Sequence, residues 1–422
     1  MKPLADLVAA LASAVVAASC GDGQDPTGSQ SDDSHDNPEV TVYYGLNESH
    51  SRDWAQVASD GSLGITYFQR SADSDEGVLL YKTIHAGGSE AVETVTTGSH
   101  LEVSVLLFDA NSSPHIFVAK SDESDQTIEH YHKNSRQQWS VETIVHFSGE
   151  GGKAIYELSA DAGPDSAFHL LILKTRSPVD SDDFMEAWRD SHLYHLSNTT
   201  GIWEKELVAN YDMAYTYDMY IKSSSRQDIA VDEDGVVHVV FSEQIAGETD
   251  PSRLRYANNL SGGWEVETAL DYDAGTVDDA GWFPSLALDS NGVPYVSCMY
   301  VDRVPTHSAT SANLMLLRRQ GFGDWHSEAV AENDDGYYGS DGRDYTGGLS
   351  HLVIDSRDSL RVVFSDVAST HWPGTQRLNV GNIRYGSRTH GAWTFNTIHR
   401  QPLPTDYFIA TEMHGMCLLV SE

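Results

Sequence analysis

Asp228-Ile229-Ala230-Val231-Asp232-Glu233-Asp234-Gly235-Val236-Val237-His238-Val239-Val240-Phe241 is an apolar strand, an acidic turn and a second, β-branched strand. Six further copies end their first strand at Ala58, Asp109, Asp161, Asp289, Asp355 and Glu412. In five of the seven the return strand opens six residues after the marker, at Gly64, His115, His238, Tyr295 and Arg361. Asp161 and His169 stand eight apart, and Glu412 and Cys417 five apart. The second half of each module repeats as well. An apolar-x-Tyr strand (Leu79-Leu80-Tyr81, Leu254-Arg255-Tyr256, Ile383-Arg384-Tyr385) leads into a Gly-x-Trp turn and a fourth strand. Trp139, Trp203, Trp264, Trp325 and Trp393 follow one another at intervals of 61 to 68 residues.

Four short strands per module, repeated at constant spacing, predict an all-β fold, a β-propeller. No apolar period of 3.6 residues and helical length competes beyond the extreme N-terminus. The last module stops after two strands, Phe408–Glu412 and Met416–Val420, which would leave a bare sheet edge. Val40–Tyr44 is a strand with no module of its own. The expectation is a seven-bladed ring, closed by this N-terminal strand added to the C-terminal hairpin as its outer strand. The alternative is six blades with the hairpin packed outside.

Residues 1–20 read as an export signal: Lys2, an apolar run from Leu7 to Ala18, then Ser19-Cys20. The run is too short to span a bilayer as a mature helix. It resembles a bacterial lipoprotein signal, which implies acylation at Cys20 and an outer-membrane or cell-surface location; plain secretion or a periplasmic location is the alternative. Residues 21–38, rich in Asp, Ser, Gln and Gly, read as a solvated tether, and 39–422 as one propeller domain. Cys298 and Cys417 fall on second strands in apolar company, as small buried hydrophobes. The net charge of −37, from 63 acidic and 26 basic residues, makes nucleic acid and anionic membrane poor partners. Membrane contact is expected only through the lipid anchor, and the protein is expected to be a monomer.

Strand parity separates two faces. Turns after first and third strands are short and uniform, whereas connections after second and fourth strands are long and varied. They include 175–191, 210–225, 271–281, 301–313, 332–348 and 367–382. Long loops on a rigid scaffold are where binding and chemistry concentrate. These loops carry Tyr211, Tyr215, Tyr217 and Tyr220, then Trp282, then Tyr337, Tyr338, Arg343 and Tyr345, then His371 and Trp372. Aromatic faces beside charged groups suit sugar rings and protein partners alike. Arg52 and Arg226 each lie six residues before their markers, and His351 leads another inner strand. Such cations at the axial funnel would bind a carboxylate or sulfate, or instead pair with Asp53 and Asp228. Asp271 and Asp273, and Asp341 and Asp344, have the spacing of hard oxygen ligands, so calcium is a possible ion and no cofactor is required. Nucleophile-elbow, phosphate-loop and zinc-protease motifs are absent.

The module resembles the BNR-repeat, sialidase-like propellers of exported bacterial proteins, over roughly residues 40–422. Ser197-Asn198-Thr199-Thr200-Gly201-Ile202-Trp203 keeps the Ser, Gly and Trp of that family's turn box and lacks its Asp. The resemblance implies a propeller and, in sialidases, three arginines on the sugar carboxylate with a Tyr–Glu nucleophile pair. Arg52 and Arg226 match two of those arginines in type. No third arginine and no Tyr–Glu pair can be placed, so the activity does not carry over. The function expected is non-catalytic binding of a glycan or surface protein through the long-loop face. The alternative is a polysaccharide lyase or sialidase-like glycosidase acting on an acidic sugar, with His351, Tyr217 and Arg226 of suitable type. A structural surface protein is the third class.

Overall fold

A computed structural model of the protein describes residues 18–19, 40–44, 53–70, 76–85, 88–99, 101–122, 125–148, 153–164, 166–176, 191–211, 226–244, 252–271, 279–303, 310–331, 344–371, 377–389, 391–403 and 416–420. The ordered elements are strands, with no helix among them. After β1 (Ala18–Ser19) and β2 (Val40–Tyr44) come six four-stranded antiparallel meanders. Sheet one is β3 (Ala55–Val57), β4 (Leu63–Arg70), β5 (Glu76–Ile84) and β6 (Glu90–Ser99). Sheet two is β7 (Leu101–Phe108), β8 (Pro114–Asp122), β9 (Asp125–Lys133) and β10 (Trp139–Ser148). Sheet three is β11 (Lys153–Ala162), β12 (Phe168–Arg176), β13 (Ser191–Ser197) and β14 (Glu204–Tyr211). Sheet four is β15 (Gln227–Val231), β16 (Val237–Gln244), β17 (Ser252–Asn258) and β18 (Glu265–Leu270). Sheet five is β19 (Asp279–Leu288), β20 (Pro294–Arg303), β21 (Thr310–Gly321) and β22 (Asp324–Ala331). Sheet six is β23 (Asp344–Ile354), β24 (Leu360–His371), β25 (Arg377–Thr389) and β26 (Ala392–Leu403). A short parallel contact, Ser311 with Asp344 and Ala312 with Tyr345, joins sheets five and six. First strands of successive sheets lie against one another, as a β-propeller requires.

Val40–Tyr44 pairs antiparallel with β27 (Met416–Val420), Val40 opposite Val420 and Tyr44 opposite Met416. Ala18 and Ser19, at the end of the segment read as a signal, pair with Val42 and Thr41 on the other side of β2. The first strand of the last module, at 408–412, lies outside the described residues.

The second strand of each meander is the buried one. Leu170, Leu171, Ile172 and Leu173 are fully buried on both faces of β12, as are Ile116, Phe117, Val118 and Ala119 in β8. Fourth strands such as Glu204–Tyr211 are mostly exposed. The hydrophobic core is therefore divided into clusters between neighbouring sheets. Phe117 and Ile128 of sheet two, for example, pack with Leu170 and Ile172 of sheet three.

The acidic marker folds its own turn. Asp232 Oδ1 accepts from the Asp234 and Val236 N–H groups, and Asp109, Asp289 and Asp355 repeat the pair of bonds. The residue three past the marker takes a left-handed conformation, which makes Gly235 and Gly292 economical choices there.

The Gly-x-Trp repeat is a latch between sheets. Four of the five tryptophans meet, edge-on, a third-strand ring of the preceding sheet: Trp139 on Tyr81, Trp203 on His130, Trp264 on His195 and Trp325 on Tyr256. A fourth-strand glutamate completes three of these latches, Glu142 with Trp203 among them. Glu206 accepts from the Trp264 indole N–H at 3.2 Å, and Glu267 from that of Trp325 at 2.9 Å.

Several buried groups between the sheets titrate. Burial, then the neighbouring His130 charge, holds His115 down to about 4; burial, then His169, holds His195 down to about 3. Both are neutral when folded, while the unfolded chain takes up a proton below about 6.5. Their contribution is fully present above that pH and is lost as pH falls, at about 1.4 kcal/mol per unit for each group. Asp161, pushed up to about 6 by burial, has the opposite slope between its unfolded value and 6. These three groups together are expected to cost about 1.4 kcal/mol per pH unit as pH falls from 6 to 4, and the lowered His130 and His238 act in the same direction as the two histidines. Urea unfolding midpoints at three pH values measure it, and a flat profile contradicts it.

Candidate functional site

The connections after second and fourth strands, including 177–190, 212–225, 272–278, 304–309, 332–343 and 372–376, lie outside the described residues. Arg52, Tyr217, Tyr337, Arg343, Trp372, Asp273, Asp341 and Cys20 fall there too. His371 ends β24, opposite Arg377, and Asp344 opens β23. Asp271 is exposed just past β18. His351 is mid-strand in β23, opposite Val363. No group of three or more metal-ligating side chains occurs among the described residues.

Below the loops of sheets three to five, the described residues bring together a polar cluster that the sequence names only in part. Arg226 is buried immediately before β15. Its backbone N–H is held by both carboxylate oxygens of Glu157, at 2.9 and 2.8 Å, from the inner strand of the preceding sheet. Its guanidinium carbon lies 5.8 Å from the centroid of the Trp282 ring, a cation–π distance. Trp282 lies within β19 rather than in a loop, packed in a buried cluster with Phe283, Met299 and Val301. Tyr211, the last residue of β14, packs against Phe241 at 4.7 Å between ring centroids. Glu243, near the end of β16, binds Arg253 at 2.6 Å.

Burial, then the charges of Glu157 and, more weakly, Glu243, push the Tyr211 phenol well above its ordinary value; the Arg226 charge opposes the shift. Tyr211 is therefore a protonated donor across the physiological range. Two buried donor atoms, Tyr211 Oη and Trp282 Nε1, have no hydrogen-bond partner among the described residues. An unanswered buried donor costs about 1–3 kcal/mol and calls for an acceptor. With Arg226 these groups form a buried, donor-rich cluster. Asp53 and Asp228, considered as arginine partners, accept from main-chain N–H groups of other sheets: Asp53 from Ala160, Asp228 from Leu286. Cys298 is fully buried and its thiol is pushed up to about 12 by burial, so it is no nucleophile.

No family model and no curated protein matches the chain. Among solved structures it is similar to an alpha-L-arabinanase of Penicillium chrysogenum complexed with arabinobiose, at 13% identity, covering 74% of this chain and 87% of that one, with a TM-score of 0.42. It is similar to polysaccharide lyase Uly1 at 9% identity, 85% and 83% coverage, and a TM-score of 0.49. The β-propeller domain of the Trilobed protease of Pyrococcus furiosus matches at 11% identity, 86% and 91% coverage, and a TM-score of 0.40.

Proposed function

We propose that the protein is a carbohydrate-active propeller that takes an acidic sugar at the loop side of sheets three to five. The observation that carries this reading is the pair of unanswered buried donors, Tyr211 Oη and Trp282 Nε1, beside the Arg226 guanidinium. A guanidinium binds a carboxylate through two parallel N–H bonds, while phenol and indole donors suit ring and hydroxyl oxygens. Turnover is the second reading, and one observation favours it. Tyr211, Glu157 and Arg226 are the residue types that the sialidase resemblance requires, and the Tyr211 and Glu157 charges act on one another.

The test is an acidic-glycan array on the full chain, followed by calorimetry and product analysis with the best ligand. Arg226→Lys is expected to weaken binding by about tenfold or more while thermal unfolding stays close to wild type. Released reducing ends that vanish in Tyr211→Phe assign a glycosidase; binding without cleavage assigns recognition alone. Affinity unmoved by Arg226→Lys removes the arginine from the site and with it this reading.

Placement outside the cell follows from the same proposal: a signal at 1–20, acylation at Cys20, a tether to 38 and a monomeric domain from 39 to 422. Ring closure is part of it as well. The support is the pairing of β2 with β27, which itself lies against β23 of sheet six and β3 of sheet one, so that the chain ends complete a seventh blade. Loop calcium at Asp271–Asp273 or Asp341–Asp344 is compatible with this reading and not required by it.

A further inference from the structure

The latch between sheets is not uniform, and the place where it fails is a cavity. The third-strand residue paired two positions after the start of the return strand is Tyr81, His130, His195, Tyr256 and Tyr385 in sheets one, two, three, four and six. In sheet five that position is Leu316, opposite Ser297. A leucine offers no ring for the next tryptophan. Trp393 instead stacks on Phe395 of its own strand, centroids 6.1 Å apart, and its buried indole N–H has no acceptor among the described residues. Glu328, at the latch glutamate's position, binds Arg388.

The space left between sheets five and six is a cavity of about 520 Å³, lined at one end by the turns after β23 and β25. Its size falls within the range of small-molecule sites, roughly 300–1,000 Å³. Three guanidinium groups line it from separate segments: Arg318 on β21, Arg357 in the turn after β23 and Arg388 near the end of β25. His326 stands on β22 beside them. Of the two acids in the lining, Glu328 is held by Arg388, and both oxygens of Asp358 accept from Ser290 at 2.8 Å. Arg318 lies over the Tyr295 ring at 5.6 Å and has no acceptor for its N–H groups among the described residues. Stacking through the flat face keeps the N–H edge of a guanidinium available. The lining carries three arginines against two acids, a small positive excess in a chain of net charge −37 that suits an anion.

We propose that this cavity binds a monosaccharide-sized ligand bearing an oxyanion, with Arg318 on the anionic group and Tyr295 against the body of the ligand. Sulfate, phosphate and carboxylate share the required chemistry. The site is separate from Arg226 and stands whether or not the loop-side reading holds.

The experiment is isothermal titration of the full chain at fixed ionic strength with inorganic sulfate, inorganic phosphate and glucuronate, with glucose as the neutral control. Saturable one-to-one binding of at least one anion, and none of glucose, is expected; the preferred anion identifies the group. Arg318→Gln, on an exposed position, is expected to weaken that binding about tenfold. Leu316→Tyr, which restores the ring found in the other sheets, is expected to abolish it with the thermal midpoint kept or raised. Absence of saturable binding by all three anions overturns the proposal, as does binding that Arg318→Gln does not weaken. If Leu316→Tyr does not fold, Arg318→Gln decides alone.

Discussion

Glu267→Ala is expected to destabilise the protein by about 3–5 kcal/mol, the cost of breaking a buried charge pair and stranding its donors. The Glu267 carboxylate is almost wholly buried and accepts three bonds: Arg319 Nε at 2.8 Å, the Gly323 N–H at 2.7 Å and the Trp325 indole N–H at 2.9 Å. Arg319 also lies 5.2 Å from the Tyr256 ring, which Trp325 meets edge-on. The substitution therefore releases one cation, one main-chain donor and one indole at the seam between sheets four and five. Glu267→Gln keeps the shape and one acceptor oxygen, so its loss is expected to be smaller. Glu90→Ala serves as the comparison, because Glu90 pairs with Lys82 from a largely exposed position. Such a pair contributes about 0–1 kcal/mol. Equilibrium urea unfolding of the three variants provides the measurement. Equal losses for Glu267→Ala and Glu90→Ala would mean that the latch does not join the sheets.

The second large effect is expected at Gly281, where conformation and space both exclude a side chain. Its φ is +81°, and an added Cβ would stand 2.6 Å from Leu254 Cβ and 2.8 Å from the Leu254 main chain. The neighbour is backbone of β17, so relief requires the two sheets to part. The left-handed conformation costs a non-glycine residue about 1–2 kcal/mol, and overpacking adds about 1–3 kcal/mol. Gly281→Ala is therefore expected to lower stability by roughly 2–5 kcal/mol. It also reaches the candidate site, since the Gly281 carbonyl accepts from Ser242 Oγ and the next residue is Trp282. Loss of glycan binding in a variant that still unfolds cooperatively is the expected signature. Gly263→Ala, at a position with open space around the glycine, is the control and is expected to change little.

The repeat was legible because each of its parts answers a local physical demand. The acidic marker caps its own turn, β-branched runs such as Val236–Val240 supply a strand buried on both faces, and glycine fills the left-handed position. The latch was equally present in the sequence and went unread. Trp139/Glu142, Trp203/Glu206, Trp264/Glu267 and Trp325/Glu328 repeat a tryptophan and a glutamate three apart, although each pair acts across a seam and not within its own turn. The missing ring at Leu316 was visible too, since among the six four-stranded sheets the fifth alone lacks an aromatic residue there.

The candidate site was harder to read. Arg226 was named from its register, and Tyr211 from the tyrosines that follow it. Glu157 carried no local cue, because its bond to the Arg226 N–H spans 69 residues of chain. Trp282 was assigned to a loop because β19 departs from regular pairing on both sides of it, between Asp279 and Trp282 and again before Ser285. Irregular register hides a buried strand residue from any reading based on alternation.

Closure of the ring by both chain ends is best tested by one substitution. Tyr43 stands opposite Cys417 in the β2–β27 ladder. Antiparallel partners have Cα atoms about 4.5–5.5 Å apart, within the range a disulfide spans. Tyr43→Cys, oxidised mildly and mapped by peptide mass spectrometry, is expected to yield an intramolecular 43–417 disulfide and a raised thermal midpoint. Free thiols at both positions in the folded, oxidised variant, or cross-links only between molecules, would contradict a ring stitched shut by its two ends.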